Sequence, residues 1–150
     1  MILYLTSSPC VDGADRAILN PANGFLQRLK ADLPVNPRCL FITSNPKDRP
    51  GTCEFGSHMF LAFAEAGMPF STYRILDGQS THDATEMIAD SDLIILAGGH
   101  VPTQNQFFRD IRLKELLEDY PGVILGISAG SMNCAAMVYA QPEEPGESLN

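Results

Sequence analysis

At 150 residues, with 45% hydrophobic and 19% charged side chains, the chain has the size of one domain and the apolar content for one core. Its formal net charge of -8 repels phosphate, so nucleic acid is not an expected partner. No apolar run approaches the ~20 residues of a membrane helix, the N-terminus lacks the basic flank of a signal peptide, and Cys10, Cys39, Cys53 and Cys134 form no CxxC pair, so we expect a cytoplasmic protein with reduced thiols, no metal and no cofactor.

The chain alternates. "ILYLT" (2–6) is short, apolar and β-rich, which predicts a first strand. Asn23–Leu33 carries Phe25, Leu26, Leu29 and Leu33 at helical spacing. "CLFIT" (39–43) predicts a second strand, and "SNPKDRPGT" a turn-rich loop. A second helix is expected over 53–68, a third strand over 71–76 and a short helix over 81–91. "DLIILAGG" (92–99) reads as a fourth strand, apolar on both faces. Thr103 and Gln106 have capping-box spacing, followed by an apolar stripe from Phe107 to Tyr120. "GVILGI" (122–127) predicts a fifth strand, and "AGSMNCAAMVY" (129–139) a helix straight after it.

Strands apolar on both faces, alternating with helices, predict an α/β fold. The expected form is a three-layer, doubly wound, mostly parallel sheet of about five strands, flavodoxin-like. Ligands of such sheets sit beyond the carboxyl ends of the strands, and Ser128 falls there.

Gly126-Ile127-Ser128-Ala129-Gly130 is a G-x-S-x-G sequence between a strand and a helix. That context predicts a nucleophile elbow, a turn so sharp that side chains two residues either side would strike backbone. Ser128 is the candidate nucleophile, and the N–H of Ala129 a candidate oxyanion donor beside a helix N-terminus. A second donor is needed; Gly99, at the end of the fourth strand, can approach a substrate with no Cβ in the way.

"LAGGHVPTQNQFF" followed by "GISAGSMN" resembles the peptidase E-like serine peptidases, the family of aspartyl dipeptidase and cyanophycinase. The resemblance covers the strand order of nearly the whole chain. It implies a class I glutamine amidotransferase-like fold and hydrolysis of small peptides through an acyl-enzyme. Carried over, Ser128 is the nucleophile, and Gly99 and Ala129 supply the oxyanion N–H groups. His100 stands where the family often has Asn. Serine in the elbow argues against glutaminase chemistry, which uses Cys in this fold.

A serine nucleophile needs a general base. His58 and His82 read as surface or helix residues. His100 lies near the site and suits substrate contact better than base catalysis; Gln104 and Asn105 could also bond a peptide. In the family the base is a histidine beyond residue 150, so residues 1–150 are expected to form a single, incomplete domain with the fifth strand a raw sheet edge. A homo-oligomer or a further C-terminal segment could cover that edge. An N-terminal aspartate of a substrate would want a cation, with Lys47, Arg49 and Arg109 the sources. Two other readings stand beside the peptidase: a catalytically defective binding or assembly protein with a relic elbow, and an α/β-hydrolase esterase, for which no HGGG-like segment is present.

Overall fold

The computed structural model describes residues 1–143 and 145–147, so part of the acidic stretch 141–150 lies outside the described residues. Five strands form one sheet: β1 (Ile2–Thr6), β2 (Arg38–Ile42), β3 (Thr72–Leu76), β4 (Leu93–Leu96) and β5 (Val123–Ile127). Their order is β1-β5-β4-β2-β3, with every neighbouring pair parallel. The helices are α1 (Phe25–Asp32), α2 (Arg49–Glu65), α3 (Ala84–Ala89), α4 (Val101–Asp110), α5 (Leu113–Leu116) and α6 (Ala129–Met132). This is the expected three-layer α/β fold.

Alternation along each strand sorts the two cores. Phe41, Ile95 and Leu125 pack on one face with Leu29 of α1 and Met59 and Phe63 of α2. Leu40, Ile94 and Ile124 pack on the other with Met87 and Ile88 of α3, Phe107 and Phe108 of α4, and Leu113 of α5. β4 and β5 are buried along their whole length, which is why they read as unbroken apolar runs.

The expected raw edge is wrong in place. β5 is paired on both sides, in register Ile2↔Val123 with β1 and Leu93↔Val123 with β4. The edges are β1 and β3. Leu3 and Leu5 of β1 are 42% and 56% exposed, so the bare apolar edge belongs to the first strand.

Several helix boundaries also differ. α2 starts four residues earlier than expected, because Asp48 caps it by accepting the Gly51 N–H and Pro50 fits its first turn. Thr103 and Gln106 form no capping box. α4 begins at Val101, with Thr103 bonded to His100 and Gln106 to Asp110. The apolar stripe from Phe107 to Tyr120 is not one helix, since Arg112 (φ 55, ψ 43) breaks it into α4 and α5. α6 is a single turn rather than a helix to Tyr139.

Chain direction sets where a ligand can sit. From β2 the chain moves outward to β3 through α2 on one face. From β4 it moves the opposite way to β5 through α4 and α5 on the other face. The connections part between the carboxyl ends of β2 and β4, which is the topological switch point.

Candidate functional site: a strained serine at the sheet's carboxyl end

Ser128 joins β5 to α6 with φ 49 and ψ -110. A positive φ is uncommon for serine, and this ψ lies outside the left-handed helical well. Such strain persists only when the surroundings over-determine it. Here they do. The Ser128 N–H donates to the Thr6 carbonyl at 2.9 Å, and the Ser128 carbonyl accepts from Met132 N–H at 3.0 Å. Ser131 Oγ donates to the Thr6 carbonyl at 2.8 Å and accepts from the Thr6 N–H at 2.9 Å, pinning the turn to the end of β1. The Ser128 residue is exposed while Ala129 and Gly130 beneath it are buried.

The two glycines of the turn are required by contact. A Cβ on Gly126 would lie 2.9 Å from Ser131 Cα, and one on Gly130 would overlap the Leu96 carbonyl oxygen, with its carbon at 2.8 Å. Gly130 is therefore the point where α6 presses against the end of β4.

That contact brings the Gly98-Gly99 turn beside the serine. A Cβ on Gly98 would lie 3.4 Å from Ser128 Cβ. Gly99 has φ 155, a conformation that side chains rarely adopt, and a Cβ there would strike Ser44, 2.7 Å from its Cβ. The backbone of the β4 turn thus passes between Ser128 and the loop after β2. α6 is too short to act as a helix dipole, so oxyanion stabilisation at this turn would rest on individual N–H groups.

Gln104 is fully buried. Its Nε2 donates to the Ala97 carbonyl at 2.7 Å, and its Oε1 accepts from Asn133 Nδ2 at 2.9 Å. Asn133 Nδ2 also donates to the Val101 carbonyl, and Asn105 Nδ2 donates to Asn133 Oδ1 at 3.0 Å. Gln104 and Asn105, the candidates for a peptide contact, join the end of β4, the start of α4 and the residue after α6; Gln104 is fully buried there, and Asn105 is half-buried. Gln104 braces the Gly98-Gly99 turn. Asn133 was missed from sequence. Gln104 itself carried a signal, a polar residue in step with Val101 and Phe107 on a buried helical stripe.

His100 precedes α4. Its Nδ1 lies 2.7 Å from Thr103 Oγ1, and its Nε2 is 2.6 Å from Glu147 Oε1, an ion-pair distance without hydrogen-bond alignment. His82 is exposed beside Asp83, and His58 lies on the exposed side of α2. Among the described residues, no histidine is hydrogen-bonded to Ser128. Burial pushes the nearby Cys134 thiol up, away from a reactive thiolate.

The expected cations do not converge. Arg49 is bonded to the buried Asp77 at 2.5 Å, and Lys47 and Arg109 are exposed. Between the ends of β2 and β4 lies a cavity of about 210 Å³, bounded by Thr43, Ser44 and Asn45, by Asp48 and Thr52 at the start of α2, and by Gly98. Among the described residues no helix is long and apolar enough to cross a membrane. No family model matches the chain, and no curated protein matches it.

Proposed function

We propose that this domain is a serine peptidase that cleaves small peptides through an acyl-enzyme on Ser128. The supporting observation is Ser128 itself: exposed, at φ 49 and ψ -110, on a turn whose flanking glycines have no room for a Cβ. A protein with no use for that conformation would relax it.

In this reading Ser128 Oγ attacks the peptide carbonyl as a general base takes its proton. The oxyanion is met by the N–H of Ala129, the residue after the serine, and by that of Gly99, which follows the Gly98 that lies beside Ser128. The intermediate expels the amine, which leaves with the proton returned by the base. Water, deprotonated in the same way, then releases the acid and restores Ser128. The base is expected from the resemblance as a histidine downstream of residue 150.

The second reading, a binding protein with a relic elbow, draws on the histidine geometry: His100 is turned to Thr103 and Glu147, and His58 and His82 point elsewhere. One comparison separates the two. Dipeptide hydrolysis is measured for residues 1–150, for a chain extended by its own downstream coding sequence, and for the extended chain carrying Ser128→Ala. The expected result is turnover by the extended chain, at least about a thousandfold less without Ser128, and little by residues 1–150. Robust turnover by residues 1–150 would put the base among the described residues and make His100→Ala the next variant. An inert extended chain, or turnover indifferent to Ser128→Ala, would leave the binding protein.

A further inference from the structure

We propose that the cavity at the β2–β4 switch point is the specificity pocket of this site and takes an uncharged amide or hydroxyl side chain, discriminating against a carboxylate. This rests on the peptidase reading for what the pocket serves, but not for what it binds.

Position comes first. Open α/β sheets bind ligands in the crevice where the connections part, and this cavity occupies it. Gly98 lines the cavity and lies beside Ser128, where an added Cβ would be 3.4 Å from the Ser128 Cβ, so a group held on Ser128 has the cavity as its neighbour. Its volume of about 210 Å³ compares with about 30 Å³ for one water in the liquid, enough for a side chain of a few heavy atoms.

The chemistry of the wall then selects. Thr43 and Thr52 form the interior, and they satisfy each other: their hydroxyls are 2.6 Å apart, and Thr52 also donates to the Asp48 carbonyl. Three groups remain for a guest. Ser44 Oγ and Asn45 Nδ2 have no hydrogen bond among the described residues. Asp48 Oδ1 accepts the Gly51 N–H, and its second oxygen is left over. A hydroxyl, an amide donor and a carboxylate acceptor together suit a guest that both donates and accepts, as Asn, Gln, Ser and Thr do.

A guest carboxylate would use Asn45 and Ser44 but would face Asp48 with no cation to offset it. Among the described residues, Asp48 is the one charged side chain on the wall. Arg49 is committed to Asp77, and Lys47 does not reach the lining. Like charges brought together without a counter-ion repel, and at Asp48, which is exposed, solvent reduces that repulsion without reversing its sign.

Asn and Asp side chains have nearly the same shape, so they isolate the charge. ¹⁵N-labelled protein is titrated with Asn-Leu, Asp-Leu and Lys-Leu, first intact and then as Asp48→Asn. Asn caps a helix about as well as Asp, so the variant keeps α2. Expected are shifts at the amides of Thr43–Thr52 and Gly98-Gly99, and binding of Asn-Leu at least about tenfold tighter than Asp-Leu. Asp48→Asn should bring that ratio close to one. Equal or tighter binding of Asp-Leu, preference for Lys-Leu, shifts that bypass these amides, or no binding of any dipeptide would each overturn the proposal. Binding requires no base and no turnover. A preference for Asn-Leu beside an indifferent Ser128→Ala would sink the peptidase and keep the pocket. Ser128-dependent hydrolysis that favours Asp-Leu would do the reverse.

Discussion

The two ends of the sheet each hold a cavity, and the larger one is at the amino end. It measures about 250 Å³ and is bordered by Arg38, Arg74, Met87 and Asp90. Volume alone would place the site there. Its charges, however, answer one another. Arg38 grips Asp92 through Nε at 3.0 Å and Nη2 at 2.8 Å, and Arg74 faces Glu86 and Asp90. At the carboxyl end the cavity is smaller, yet polar groups stay unclaimed and the neighbouring backbone is strained. Arg112, near the amino end, also has positive φ, but it sits in the ordinary left-handed helical well, whereas Ser128 does not. Stored strain beside unspent polar groups marks a site better than size does.

The sharpest way to break this contrast is to overfill the strained end. Gly130→Val drives a side chain into the Leu96 backbone, where no flexible atom can yield. We expect a loss of about 2–3 kcal/mol in urea unfolding. Arg74→Ala at the other end should change stability by less than about 0.5 kcal/mol, since its ion pairs are long and exposed. Comparable losses in the two variants would remove the distinction.

A smaller effect should come from the brace. Gln104→Leu keeps much of the volume but leaves the buried Ala97 carbonyl without its donor and takes from Asn133 Nδ2 one of its two acceptors, the Val101 carbonyl remaining. The expected cost is about 1–3 kcal/mol, with faster amide hydrogen exchange at Ala97–Gly99 than at β2. Unchanged exchange there would mean that the Gly98-Gly99 turn holds its shape without Gln104.

Much of this end was legible in the chain. Strands buried on both faces declare themselves as apolar runs, and the G-x-S-x-G spacing marks a turn whose contacts, with Ser131 in the same segment and with Leu96 on β4, only glycine survives. The strand order was not legible. β1 pairs with β5 across more than a hundred residues of intervening chain, and no periodicity encodes that, so the bare edge was assigned to the wrong strand. The Gln104–Asn133 bond joins residues on different elements, which makes each look like ordinary helix polarity when read alone. The break at Arg112 escaped for a related reason. The apolar stripe continues across it because α4 and α5 cover the same sheet face, so the pattern reports burial and not helix continuity. Ser44 gave no signal either, since its importance lies in where Gly99 passes.

The smallest effect should appear at the amino end, and it should depend on pH. Hydrogen bonds from the Arg38 side chain and, less strongly, its N–H hold the Asp92 carboxyl below its ordinary value of 3.8. A carboxylate whose folded pKa is depressed adds stability that is present in full above the unfolded pKa. That stability is lost as pH falls through the folded value. Asp92→Asn removes the charge while leaving a side chain of the same shape between β2 and β4. The variant should therefore be less stable than the parent at neutral pH, with a constant difference down to about pH 5. Below that the gap should close as the parent protonates. Parallel urea-melt series at stepped pH values read the gap directly. A gap that is flat into strong acid, or that widens there, would mean that Arg38 and Asp92 hold the sheet by shape alone, and the amino end would lose the self-answering charges that set it apart from the carboxyl end.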